Sequence, residues 1–197
     1  MAKGRDSGMP PVKLWESFFG SPADLFDALG CQSVRGDAVE FGCGYGTFTV
    51  ALAPRVSGTL YALDIDPTMV GATSARSAHV GACNIIVEQR DFVTAGSGRP
   101  EGSVSLVMLF NILHIEDPLD LLCEAHRILR DDGVATVIHW KHDIQTPRGP
   151  PIAIRPSPEQ CRDWAERTGF RCLRVSRQLP NSPWHWGMLL QKNVPCS

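Results

Sequence analysis

Hydrophobic and polar positions follow two alternating rhythms along this chain. Short apolar runs of four to seven residues fall at 38–41, 59–64, 85–89, 104–110 and 134–140. Each is bounded by Gly, Pro, Asp or Asn, the signature of buried strands. Between them lie segments of helical period. Residues 118–129 put Leu119, Leu122, Ala125 and Leu129 on one face at roughly 3.6-residue spacing. Residues 47–53 read as a helix stopped before Pro54. A helix through His79 starts after Asp66 as N-cap, with Pro67 in the first turn and Gly81 beyond the end. A further helix spans 158–168 and ends at Gly169.

The ends of the chain add to this pattern. Residues 12–19 and 22–29 read as two short helices, the second with Ser21 as N-cap and Pro22 at its first position. They form an N-terminal cap over 11–30, preceded by a polar tail, 1–10, expected to be disordered. Asp131-Asp132-Gly133 reads as a turn into the fifth strand, and 141–156 as a long proline-rich loop. Two final strands, 172–179 and 186–191, are separated only by Pro180-Asn181-Ser182-Pro183. So short a link cannot cross over between parallel strands, so the last strand is expected to run antiparallel. Strands alternating with helices imply a mostly parallel α/β sheet with helices on both faces. There is no internal repeat, and 11–197 reads as one domain.

The chemistry is concentrated at two strand ends. The first strand runs into Val39-Glu40-Phe41-Gly42-Cys43-Gly44-Tyr45-Gly46-Thr47, and the second ends in Leu63-Asp64-Ile65-Asp66. Glycines without Cβ let a ligand lie on bare backbone. A carboxylate at the tip of the second strand is placed for two vicinal ribose hydroxyls. A dinucleotide site uses G-x-G-x-x-G and a helix N-terminus aimed at pyrophosphate. Here the spacing is G-x-G-x-G, with Glu40 just before it. An acid there repels phosphate and suits a cationic ligand.

This pattern resembles motif I of the class I S-adenosylmethionine (SAM) dependent methyltransferases, of the small-molecule, methyltransferase-11-like type, and the resemblance covers most of the chain. It implies a single Rossmann-like domain whose seven-stranded sheet has the order 3-2-1-4-5-7-6, strand 7 antiparallel. It also implies SAM as cofactor and S-adenosylhomocysteine (SAH) as product. By resemblance, Gly42, Cys43, Gly44 and Gly46 lie under the methionine moiety and Glu40 reads its ammonium. Asp64 takes the ribose diol, and Ile65 presses on the adenine. Asp91 and Phe92 resemble the pair after strand 3, the carboxylate on the adenine amino group and the ring beside it. Phe110 and Asn111 end strand 4, where the family offers a backbone carbonyl to the methionine end. Ser105 stands where the family often has an acid.

Acceptor chemistry is less legible. Methyl transfer from a sulfonium is an in-line displacement, and positioning supplies much of the catalysis. A general base is needed only for a protonated nucleophile. His114, just past strand 4, is the candidate base; His139, inside an apolar strand, reads as a core histidine or one that supports the site from behind. Trp15, Phe19, Trp140, Lys141 and Arg148 are candidate substrate-binding residues, with Arg155 and the Trp184-His185-Trp186 stretch nearby. The helices carrying Trp15, Phe18 and Phe19 are the obvious cover, which favours a small acceptor.

Composition narrows the alternatives. A net charge of −2 without a basic stripe argues against nucleic acid as partner. Asn111-Ile112-Leu113-His114 also lacks the Asn-Pro-Pro-Tyr pattern used on flipped bases. No run approaches the roughly 20 apolar residues of a membrane span, and the polar start lacks a signal-peptide core. The expectation is a cytoplasmic monomer or homodimer. Seven cysteines without a C-x-x-C pair read as free thiols rather than a metal or disulfide framework. A nicotinamide oxidoreductase is disfavoured by the glycine spacing, Glu40 and Asp91. A non-catalytic SAM-binding protein of the same fold is the remaining alternative.

Overall fold

The computed structural model describes residues 9–193. The expected disordered tail, 1–10, therefore lies outside the described residues except for Met9 and Pro10. Helices α1 (Val12–Glu16) and α2 (Pro22–Leu29) lead into β1 (Ala38–Phe41), α3 (Thr47–Leu52), β2 (Leu60–Asp64), α4 (Pro67–His79) and β3 (Ile85–Gln89). Then come α5 (Phe92–Ala95), β4 (Val104–Phe110), α6 (Pro118–Ile128), β5 (Leu129–Trp140), α7 (Pro158–Arg167), β6 (Phe170–Ser176) and β7 (His185–Lys192). The seven strands form one sheet in the order β3-β2-β1-β4-β5-β7-β6. β7 is antiparallel to both β5 and β6, and every other pair is parallel.

Alternating side chains give the sheet two apolar faces. Val39, Phe41, Val107, Leu109, Ala135 and Val137 pack with α6 and α7 through Leu121, Leu122, Ala125, Ile128, Cys161 and Ala165. Leu106, Met108, Phe110, Ile138 and Trp140 face α1, α2 and α3 through Trp15, Leu25, Phe26, Phe48 and Leu52. Burial of this kind contributes about 25 cal/mol per Å² of apolar surface, so both helical layers are held by the sheet.

Local caps set most boundaries. Ser21 accepts from the Asp24 N–H, and Asp66 from the Thr68 N–H. Ser157 and Gln160 make a reciprocal capping box at the start of α7. Several boundaries differ from the sequence reading. The helix over 12–19 stops at Glu16, where Phe18 and Phe19 N–H groups bond three residues back and the chain turns through Gly20 (φ 55°). The third helix ends at Leu52, before Pro54 as expected, and the chain continues in a 3-10 turn, Ala53–Arg55, whose first positions tolerate a proline. Asp131-Asp132-Gly133 lies within β5, where the pairing to β4 shifts register between Leu129 and Val134. In α6 the buried face runs through Leu121 and Ile128, and Leu119 is only half-buried. β6 begins at Phe170 because Gly169 (φ 88°) reverses the chain immediately after α7. α5 was not foreseen; its first turn is capped by Asp91. Among the described residues no helix is long and apolar enough to cross a membrane.

Candidate functional site

The carboxyl ends of β1, β2 and β4 open on a cleft where the strand order reverses, the usual ligand position in such sheets. The turn from β1 to α3 forms its floor. Gly42 and Gly44 line the cleft with φ of 80° and 53°, a region closed to most side chains. Gly42 and Cys43 donate their N–H groups to Leu63 O at 2.8 and 3.0 Å, and Thr73 Oγ1 bonds Gly44 O at 2.8 Å. Gly46 does something else. A Cβ there would lie 3.0–3.2 Å from Thr73, so this glycine allows α3 and α4 to approach and is not among the cleft residues. Cys43 lines the cleft, and burial pushes its thiol up, away from thiolate chemistry.

The two acids differ. Asp64 faces the cleft. Its Oδ2 accepts the Gly44 N–H at 2.9 Å and its Oδ1 the Asp66 N–H at 3.0 Å. A carboxylate has about four lone-pair positions, so capacity remains for a hydroxyl donor beside these backbone groups and the nearby Ile65 N–H. Burial raises the Asp64 carboxyl, opposed by those backbone donors. Glu40 does not line the cleft. It is buried one layer behind, where Oε2 accepts from Thr49 Oγ1 at 2.5 Å. Burial lifts its carboxyl to about 8, with the Asp64 charge adding to the rise and the Thr49 bond opposing it.

Asn111 ends β4 in the left-handed region (φ 54°), with its N–H on Ile138 O at 2.7 Å. Its side-chain Oδ1 and Nδ2 are both buried, with no partner among the described residues, at the wall of the cleft. Orphaned amide atoms in a cleft are unusual in native structures and point to a polar ligand. Ile65, Phe92 and Phe110 supply apolar wall, and Phe92 is braced edge-on by Phe41 at 5.1 Å. Asp91 is not in the lining: its Oδ1 accepts the Thr94 N–H at 3.3 Å at the start of α5.

Met9 and Trp15 also line this cleft. Tyr45 donates to Pro10 O at 3.0 Å, and Arg76 pairs with Glu16 at 2.5 Å. The N-terminal segment is thus tied across the glycine loop. A second cavity of about 470 Å³ adjoins the cleft, lined by Glu116, Ile154, Arg155, Gln160 and Trp164 among others. His114 and Ile115 belong to both linings. His114 Nδ1 lies 3.3 Å from His139 Nε2. Burial, then the Arg155 charge, lowers the His114 pKa. Arg155 is buried and donates to the carbonyls of Pro150, Lys141 and Arg148, which fixes the loop after β5.

The other candidate substrate residues lie elsewhere. Phe19 is fully buried against Trp15, Phe48 and His185. Trp140 is buried between Phe18 and His185. Lys141 lines a separate hollow with His142, Asp143 and Arg177, and Arg148 is exposed. Sequence reading missed Met9, Ile115, Gln160 and Trp164. Trp164 and Gln160 sit on an otherwise ordinary amphipathic helix, and nothing in their spacing marks them.

Sheet order and cleft position together define a Rossmann-like α/β domain of the class I methyltransferase fold. Residues 38–133 match the family model described as "Methyltransferase domain". This domain match and the fold support a SAM-dependent methyltransferase of class I, with S-adenosylmethionine as cofactor. Solved structures show the same fold. A SAM-dependent methyltransferase from Aquifex aeolicus superposes with a TM-score of 0.77 at 21% identity, over 92% of this chain and 98% of that one. One from Clostridium acetobutylicum gives 0.70 at 10% identity, over 93% and 98%. One from Mesorhizobium loti gives 0.69 at 16% identity, over 88% and 99%. No curated protein matches the chain.

Proposed function

We propose that this enzyme methylates a small-molecule acceptor by in-line displacement, with the cofactor in the glycine-floored cleft and the acceptor in the adjoining cavity. The observation that carries this reading is the wall the two spaces share at His114 and Ile115. A cavity of about 470 Å³ is of the size that encloses small ligands. One chain holds both spaces, so a monomer or each half of a homodimer has a complete site. With a net charge of −2, electrostatics does not favour nucleic acid as partner.

The residues present fit the cofactor. Asp64 keeps acceptor capacity for a ribose hydroxyl, and the unpaired Asn111 amide offers a donor and an acceptor to the amino-acid end. Gly42, Cys43 and Gly44 give it backbone, with Gly46 closing the turn behind. Ile65 and Phe92 flank the adenine, and Phe110 supports the methionine end. Asp91 reaches the adenine amino group only from the edge of the site, given its capping bond. Glu40 acts on the ammonium from behind the loop, through a shared water. When bound, S-adenosylmethionine supplies a methyl group already activated on sulfonium. The protein's work is then to align the acceptor, keep out water with the Met9–Trp15 cover, and hold a proton acceptor at His114. Residues 11–197 act as one domain, with 11–30 as its cap.

Incubating the protein with SAM and a panel of hydroxyl, phenol, thiol and amine compounds, and measuring SAH, tests the reading. Ala153→Trp, which narrows only the second cavity, should abolish transfer and leave SAH affinity within twofold. Full transfer by that variant would place the acceptor elsewhere.

A further inference from the structure

The rings of His114 and His139 meet at 75°, with a nitrogen of each 3.3 Å from the other. A hydrogen bond between them needs one nitrogen protonated and one bare. The far side of His139 decides which. His139 Nδ1 lies 3.3 Å from the carbonyl oxygen of Trp140. A carbonyl oxygen accepts and never donates, so His139 Nδ1 carries the hydrogen. In a neutral imidazole the other nitrogen is then bare. His139 is neutral: it is completely buried, and burial, then His114, hold it down to about 3 against the opposing Trp140 bond, with Arg155 adding a smaller push downward. His139 Nε2 is therefore an acceptor, and His114 Nδ1 must donate to it.

This leaves the lone pair of His114 on Nε2. Among the described residues no partner takes that atom, and the residue borders both cavities. The charges around the pair favour the neutral ring. Arg155 faces both histidines and disfavours their charged forms; Glu116, which lines the same cavity as His114, is the one carboxylate there among the described residues and pulls the other way. His185, on β7, is also held neutral, by burial and then by His139, Arg155 and Lys141.

We propose that His139 is a positioning residue that fixes His114 as the Nδ1–H tautomer, so that a bare Nε2 receives the proton of a neutral hydroxyl-class acceptor. This rests on the methyl-transfer reading above. In that step the acceptor's O–H bond breaks and its proton goes to His114 Nε2. An oxygen electron pair forms the bond to the methyl carbon, and the electrons of the broken carbon–sulfur bond remain on sulfur. The imidazolium then returns its proton to solvent. The buried histidine inside β5 thereby sets the protonation geometry of the site.

The tautomer can be read without an acceptor. The full chain labelled with ¹⁵N-histidine, with SAH bound, is measured by long-range ¹H–¹⁵N NMR near pH 7.5, and His114 is assigned by the signals lost in His114→Asn. The wild type should show the Nδ1–H pattern for His114. His139→Phe should convert it to a mixture rich in Nε2–H, while His139→Gln, whose carboxamide oxygen can take the Nδ1–H, should keep it. An Nε2–H or mixed pattern in the wild type overturns the proposal even where His139→Phe does not fold. An unchanged pattern in a folded, SAH-binding His139→Phe overturns it as well. Failure of the methyl-transfer reading registers separately, as absence of SAH formation with the tautomer intact.

Discussion

Asp64 Oδ2 accepts the backbone N–H of Gly44 at 2.9 Å, so the acid at the tip of β2 holds the glycine loop of β1 in place while it faces the cleft. The cleft floor and its acid move as one unit. Asp64→Ala should therefore act twice. It removes the proposed ribose acceptor, and it leaves the Gly44 N–H without its partner. Each unsatisfied buried group costs about 1–3 kcal/mol, so SAH affinity should fall by roughly 10- to 100-fold and the melting temperature should drop. Asp64→Asn keeps one oxygen for Gly44 and should lose affinity with less loss of stability. Calorimetry giving wild-type affinity for a folded Asp64→Ala would remove Asp64 from the cofactor site.

The glycines of the loop separate by role. At Gly46 a Cβ meets Thr73 at 3.0–3.2 Å, with φ at 72°. The Thr73 contacts include its Cα and do not yield easily, whereas the left-handed cost of about 1–2 kcal/mol falls on Gly44 (φ 53°) as well, so packing separates the two. At Gly44 the nearest atom is the flexible end of Met9, at 3.2 Å. Gly46→Ala should thus lower stability more than Gly44→Ala, while Gly44→Ala should weaken SAH binding more for each degree of melting temperature lost. Paired thermal and calorimetric titrations read both quantities. Equal stability losses with equal binding losses would refute the division.

What the sequence shows and what it hides follow from the range of the forces involved. Ser21, Asp66 and Ser157 act within four residues, and the helices they cap are where the local pattern puts them. The strand order follows from the family resemblance, and the antiparallel final strand from the short Pro180–Pro183 link. Local competition explains the smaller departures. Asp91 is read as a ligand contact, but an Asp just before a helix prefers its own backbone, and it caps α5. Phe19 and Trp140 are apolar aromatics, and the core takes them. The acceptor side depends on tertiary docking. Trp164 and Gln160 reach the second cavity only because α7 lies against it, and His114 meets His139 only because β4 and β5 pair. No spacing in one chain encodes these meetings.

The N-terminal cover should control cofactor exchange. Trp15 lines the cleft, and its segment is tied down by the Glu16–Arg76 pair and the Tyr45–Pro10 bond. The ion pair is about one-third exposed on each side, so it contributes no more than about 1 kcal/mol. Glu16→Ala should accordingly speed SAH dissociation by up to about fivefold. Stopped-flow fluorescence of Trp15 reports the rate. An unchanged rate in both Glu16→Ala and Tyr45→Phe would mean that the segment is not the barrier to release.

The buried acid predicts how stability varies with pH. The Glu40 carboxyl rises from an ordinary 4.5 to about 8 in the folded chain. Between those values the folded state holds a proton that the unfolded state has released, so stability falls as pH rises through this window and levels off above about 8. Asp64 is shifted in the same direction. The buried histidines work oppositely. His139 falls from 6.5 to about 3, so the unfolded state binds the extra proton below 6.5 and stability is lost as pH drops. The two effects oppose each other below pH 6.5, and the carboxyls dominate above it. Wild-type protein should therefore lose stability steadily from about pH 6.5 to 8. Glu40→Gln, which keeps an acceptor for Thr49 but carries no proton to lose, should flatten most of that slope and melt higher at pH 8. Denaturant titrations at half-unit pH steps measure the slope, and an identical slope in both proteins would show that Glu40 is already ionised at neutral pH.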